Sequence, residues 1–207
     1  MNELVFILEL LGTAAFAASG ATVGMEKKMD IFGISILGMT TAVGGGIIRD
    51  VVIGKTPPSA FTNPVYTVVA LAVSLLLFLP GVRRRLEKGK KFYDATTVVA
   101  DAVGLSVFTM VGISNARNFL PEVNIFLLMF VGVITGVGGG VLRDLFAGSM
   151  PAIFVKYFYA CASLIGAVLC TLLWDVLGGI PSMTIGAVTI FILRMLAARY
   201  HWMLPRA

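Results

Sequence analysis

One seven-residue motif is written twice in this chain, 94 positions apart: Gly44-Gly45-Gly46-Ile47-Ile48-Arg49-Asp50 and Gly138-Gly139-Gly140-Val141-Leu142-Arg143-Asp144. Both copies sit inside long apolar stretches. Each glycine in a helix interior costs roughly 1 kcal/mol relative to alanine. Each charge inside a membrane span costs roughly 2.5–3.5 kcal/mol on insertion scales. A chain that carries this combination in duplicate uses it, and paired interruptions in two halves of a membrane chain point to a transport site. The glycines predict that spans two and five are broken at Gly44–Gly46 and Gly138–Gly140. Carbonyls freed there line a water-filled cavity and can replace part of a cation's hydration shell. A tight crossing of the two helices is the competing reading, and both can hold together.

The membrane setting follows from composition. Hydrophobic residues make up 58% of the chain and charged residues 13%, against about 25% charged in soluble domains. Several apolar runs approach the roughly 20 residues that span a bilayer. The expected fold is an all-α integral membrane protein of seven transmembrane helices, at about 4–24, 31–54, 63–80, 94–113, 123–147, 153–174 and 183–201. The acidic start, and Glu9 inside the first apolar run, mark a mature helix and not a signal peptide.

Lysine and arginine set the orientation. With the N-terminus outside, the inner loops hold Lys27, Lys28, Arg83, Arg84, Arg85, Lys88, Lys90, Lys91, Lys156, Arg199 and Arg206, and the outer loops only Lys55 and Arg117. The net charge of +5 is therefore a positive-inside signature and not a nucleic-acid surface. Aromatics at the span ends, Tyr66, Phe92, Tyr93, Trp174, Tyr200 and Trp202, read as interfacial anchors. No Ser/His/Asp constellation or metal-ligand spacing exists, and His201 is the single histidine. Gly54-Lys55-Thr56 fails as a phosphate loop because Arg49 stands where its first glycine belongs. The chain reads as no enzyme, with no cofactor, no metal and no evident soluble partner.

The repeat extends past the glycines. Glu9, Gly12, Phe16 and Gly20 recur as Asp101, Gly104, Phe108 and Gly112, and Pro57 recurs as Pro151. Residues 1–88 form the first three-helix unit and 89–175 the second, and 176–207 hold the seventh helix and tail. An odd number of spans per unit inverts the second, which predicts a pseudo-two-fold axis in the membrane plane.

The buried charges need partners. Adjacent residues diverge by about 100° on a helix, so Arg49 and Asp50 are not expected to pair cleanly. Depth pairs Glu9 with Arg49 and Asp101 with Arg143, one set on each side of the midplane. Asp50 and Asp144 are placed at the start of a second half-helix, where the dipole favours a carboxylate. These charges either line and gate a water-filled path or only lock helices together. Lys55 closes span two as a field-setting charge or a plain loop lysine. Thr40, Thr41 and Thr135 line the path or bond back to their own helix, and Arg194 is expected to snorkel to the inner face.

The doubled Gly-Gly-Gly-x-x-Arg-Asp motif, the Glu9/Asp101 pair, the seven spans and the inverted halves resemble the bacterial branch of the trimeric intracellular cation channel family. That branch is also known as a glycine-rich membrane family whose repeat domain is called "glycine transporter". The resemblance implies a homotrimer in membrane lipid, with one pore per protomer lined by spans two and five. It implies potassium, with some sodium, as the permeant ion, and suits a bacterial inner membrane. A carrier for glycine or another small zwitterion is the alternative, with a buried arginine holding the carboxylate and an acid the amine.

Overall fold

A computed structural model of the chain describes residues 3–82, 90–120, 122–155 and 158–202. The side chains of residues 90–94 and 155 are not among those described. Most of the basic run Arg83–Lys91 and the side chains of the aromatic anchors Phe92 and Tyr93 therefore lie outside the described set, as do Pro121, Lys156 and Arg206.

Among the described residues the elements are α1 (Glu3–Glu26), α2 (Ile31–Val52), α3 (Ser59–Thr62), α4 (Val65–Phe78), α5 (Lys90–Phe119), α6 (Ile125–Phe146), α7 (Ala152–Val155), α8 (Tyr159–Leu177) and α9 (Gly179–Tyr200). Six of them, α1, α2, α5, α6, α8 and α9, are long and apolar enough to cross a membrane, and α4 is a shorter apolar helix. The protein is an all-helical, multi-pass membrane protein. α5 runs past the expected end at residue 113 to Phe119, with Ser114 buried, Asn115 half-buried against Glu9 and Asn118 exposed. α9 starts at Gly179 and takes Pro181 into its first turn, where a missing N–H costs nothing.

Corresponding local devices set α2 and α6. The Asp30 Oδ1 accepts from Gly33 N at 2.7 Å, and Asn124 Oδ1 from Leu127 N at 2.7 Å, each capping a helix start. At the other ends Gly54 and Gly148 take φ of 76° and 64°. That turn lets Lys55 N reach Asp50 O at 2.7 Å and Ser149 N reach Asp144 O at 2.8 Å.

The triple glycines do not break their helices. α2 continues through Gly44–Gly46 and α6 through Gly138–Gly140. The propensity penalty of about 1 kcal/mol per glycine is smaller than the several kcal/mol of each backbone group left unbonded in hydrocarbon. The glycines instead permit contact. A Cβ on Gly45 would run into the Thr135 carbonyl oxygen, and one on Gly139 into the Thr41 carbonyl oxygen. α2 and α6 therefore cross antiparallel at backbone-to-backbone distance. A second small-residue crossing joins α8 to α9, where Cβ atoms on Gly166 and Gly186 would come within 2.9 and 3.0 Å of each other's carbonyl oxygens.

The rest of the bundle packs around the α2–α6 crossing. α1 lies against α2, α4 and α5, while α5 and α8 flank α6 and α9 covers α5 and α8. The largest buried cluster includes Leu105, Met110, Ile113, Leu128, Val131 and Ile190.

Positions within one motif should respond differently to a methyl group. Gly45→Ala and Gly139→Ala push against backbone, an overpacking cost of about 1–3 kcal/mol or more that outweighs the roughly 1 kcal/mol gain in helix propensity. A Cβ on Gly46 meets only Arg49 Nη2, at 3.8 Å, so Gly46→Ala should be neutral or stabilising. Thermal unfolding in detergent should rank the first two below wild type and Gly46→Ala at or above it.

Candidate functional site

Each Arg-Asp step closes a membrane helix, and each aspartate holds two groups at once. The Asp50 Oδ1 accepts from Arg49 Nε at 2.8 Å while Asp50 Oδ2 accepts from Ser59 N at 2.7 Å. The Asp144 Oδ1 accepts from Arg143 Nε at 2.9 Å while Asp144 Oδ2 accepts from Ala152 N at 2.8 Å. Each carboxylate thus receives the first amide of a short helix, α3 or α7, that the chain forms after Pro57-Pro58 or Pro151. Two expectations are corrected here. Adjacent Arg and Asp do pair, through Nε in Arg49 and through both Nε and Nη2 in Arg143. The aspartates also do not start a half-helix; they stand in the last turns of continuous helices.

Beyond this shared unit the two halves differ. In the second half Arg143 Nη1 donates to Asp101 Oδ1 at 2.6 Å and to Ser19 Oγ at 2.6 Å. Tyr159 OH donates to the same Asp101 oxygen at 3.2 Å. Arg194 of α9 reaches Asp101 Oδ2 at 3.7 Å and stacks its guanidinium 4.5 Å from the Tyr159 ring centre. Arg194 is buried and does not snorkel. Gly140 keeps space for this network, since a Cβ there would lie 2.8 Å from the Tyr159 hydroxyl.

In the first half Glu9 takes hydrogen bonds from the Tyr66 hydroxyl and, at 2.9 Å, from Asn115 Nδ2. The expected Glu9–Arg49 ion pair does not form; Glu9 is bound by Tyr66 and Asn115, and Arg49 by Asp50. A cavity of about 30 Å³ lies among Glu9, Thr13, Gly46, Arg49, Tyr66 and Phe108, enough for a water molecule or two. Counted as ionised, Glu9, Arg49 and Asp50 sum to −1, whereas Asp101, Arg143, Asp144 and Arg194 sum to zero.

The clusters sit at different depths. Glu9 and Ser19 are ten residues apart on α1, about 15 Å along its axis. Between them the rings of Phe16 and Phe108 pack with centres 5.2 Å apart. Phe16 fills the space beside Gly104 and Gly139, and Phe108 that beside Gly12. Thr41 and Thr135 donate to the carbonyls of Leu37 and Val131 at 2.6 Å each, so their hydroxyls bond back to their own helices. Lys55 stands apart from both clusters, its Nζ 5.9 Å from the Phe119 ring centre.

Sequence reasoning missed Tyr66, Tyr159, Asn115 and Ser19. Tyr66 was expected at the interface, yet it lies buried against Glu9. Its 93-residue offset from Tyr159, another acid's partner, was the available signal.

The family model described as Glycine transporter matches residues 6–80 and again 98–175. The UPF0126 inner membrane protein YadS of Escherichia coli strain K12 is 38% identical over 206 residues, spanning 98% of this chain and 95% of that protein. A prokaryotic TRIC channel crystallised in 0.5 M KCl is similar at a TM-score of 0.88 and 30% identity, over 99% of this chain and 100% of that one. This chain belongs to the bacterial TRIC/UPF0126 family. Another structure similar to this TRIC/UPF0126 protein is the TRIC trimeric intracellular cation channel orthologue from Rhodobacter sphaeroides, with a TM-score of 0.83 and 31% identity over 96% and 99% of the two chains.

The unequal clusters predict unequal mutants. Arg143→Gln removes a donor shared by Asp101, Asp144 and Ser19, and removing one partner of a buried pair costs about 3–5 kcal/mol. Arg49→Gln leaves Asp50 its Ser59 amide and Glu9 both its partners, so it should cost less. Detergent thermal melts of the two variants measure the difference.

Proposed function

We propose that this protein is a cation channel of a bacterial inner membrane, selective for monovalent ions, potassium with some sodium. It works as a homotrimer with one path through each protomer. The observation that carries this reading is the placement of two buried polar clusters, one with a water-sized cavity of net negative charge, on opposite sides of one helix crossing. The likeness to TRIC channels over nearly the whole chain supports the choice of ion and assembly.

The protomer is read as two inverted three-helix units, residues 1–88 and 89–175, plus a seventh helix at 176–207. The reciprocal contacts of Gly45 with Thr135 and of Gly139 with Thr41 support an axis between them. The N-terminus faces out and the C-terminus in, as the lysine and arginine asymmetry favours.

The path runs beside α2 and α6. With both helices unbroken, the glycine carbonyls stay within their helices, and the ion's partners are the side chains of the clusters. A cation enters the cavity at Glu9, whose charge Arg49 does not cancel. It then meets the Phe16–Phe108 pair, which closes the way to Asp101. Conduction requires these rings to part and the Arg143–Asp101–Arg194 network to loosen. Arg49, Asp50, Arg143 and Asp144 act as the charge and gating network, and Lys55 adds to the field at the outer end.

A glycine carrier is the second reading, favoured by the guanidinium and carboxylate that face one cavity. The volume of about 30 Å³ suits water or a bare ion better than an amino acid. Planar-bilayer recording under a potassium chloride gradient tests both. Discrete steps reversing near the potassium potential are expected. A silent bilayer with confirmed incorporation, together with saturable glycine uptake into vesicles, would replace the channel by the carrier. Glu9→Gln should lower cation current about tenfold or more, because one uncompensated charge in a poorly solvated site is worth a few kcal/mol. Phe108→Ala should prolong openings.

A further inference from the structure

A second and larger cleft lies away from both charge clusters. It holds about 400 Å³ and is lined by Leu4 and Val5 of α1, Ser114 and Asn118 of α5, Trp174 of α8 and Gly179, Ile180, Pro181 and Met183 at the start of α9. This volume is in the range of small-molecule sites, about 300–1,000 Å³. Beside the cleft α8 ends and α9 begins with only Gly178 between them, at φ 81°. Gly179 holds the Trp174 ring in place, since a Cβ there would come within 2.8 Å of Cζ2.

The cleft is mostly apolar in its lining, with Ser114 and Asn118 as its polar side chains, and a basic residue stands beside it. Val5 and Met183 are buried in its wall, while Leu4 and Ile180, 39% and 52% exposed, lie at its rim at the ends of membrane-crossing helices. Against Trp174, which lines the cleft, the Arg117 guanidinium lies 5.3 Å from the ring centre and pairs with Asp175. Asp175 is 76% exposed, so this pair is worth about 0–1 kcal/mol and yields readily to a competing anion. Lys55 sits over Phe119, two residues beyond Arg117. The two basic residues assigned to the outer side thus gather at one end of α5.

We propose that this cleft binds one phospholipid, with an acyl chain among Val5, Trp174, Ile180 and Met183 and the phosphate on Arg117. The arginine fork matches a phosphate in geometry and charge, and its height at the helix ends is that of the headgroup layer. The bound chain lies one turn from the seam of the first cluster. On α1, Val5 precedes Glu9 by four residues, and on α5, Ser114 precedes Asn115, whose amide binds Glu9. The site does not depend on what the protein conducts.

The chain has two tryptophans, so Trp202→Phe leaves Trp174 as the only reporter. The full-length variant in detergent is titrated with phosphatidylglycerol bearing a dibrominated acyl chain, which quenches an indole only at contact, with the unbrominated lipid as reference. The expected result is saturable quenching at one lipid per protomer. Arg117→Gln should weaken it about tenfold, the loss of roughly one charge-assisted hydrogen bond. Val5→Phe, which fills the cleft, should abolish it while an unchanged melting temperature reports folding. Quenching that rises without saturation, or that survives Val5→Phe, would overturn the site. Equal quenching by a dibrominated fatty-acid methyl ester, with no effect of Arg117→Gln, would overturn the phospholipid in favour of any alkyl chain.

Discussion

Two backbone carbonyls set the spacing on which this bundle depends. The oxygens of Thr41 and Thr135 occupy places where any side chain on the opposing helix would stand. Only glycine at positions 45 and 139 lets α2 and α6 meet so closely. The close crossing sends the two Arg-Asp steps to opposite sides of the contact, each inside the bundle and away from hydrocarbon. Arg49, Asp50, Arg143 and Asp144 are all buried, and buried charges persist only when paired and fully hydrogen-bonded. The glycines thus create the enclosure and the aspartates make it tolerable for arginine.

Much of this was legible in the sequence, and the failures share a cause. The doubled motif located the crossing, the helix ends and the charged residues. It misjudged the helix, because propensity scales weigh a glycine against water-exposed alternatives, and lipid offers the backbone no such alternative. The repeat also suggested matching pairs, Glu9–Arg49 and Asp101–Arg143, of which only the second forms. The difference comes from residues the repeat does not relate. Asn115 corresponds to Val23 and so serves one acid only, and Arg194 belongs to a helix outside the repeat. Internal symmetry in a sequence predicts positions well and partners poorly, because partners also depend on the unpaired element.

α9 is that element, and it makes the two halves unequal. It presses Arg194 onto Asp101 and Tyr159, and its first turn, with Met183, walls the apolar cleft beside α1. By formal charge the second cluster is consequently neutral, while the first borders a water-sized cavity and sums to −1. The surroundings of the two motif copies become unequal in this way without any change in the motif itself.

The double duty of Asp50 and Asp144 has a mechanical side. Each carboxylate grips a buried guanidinium with one oxygen and the first amide of a surface helix with the other. The guanidinium cannot turn on Nε without releasing or dragging that carboxylate, and the carboxylate cannot shift without moving α3 or α7. Each short helix is in effect the exposed end of a crank whose other arm is the buried arginine. A displacement of α3 or α7 is thereby delivered as torque on a charge in the protein interior.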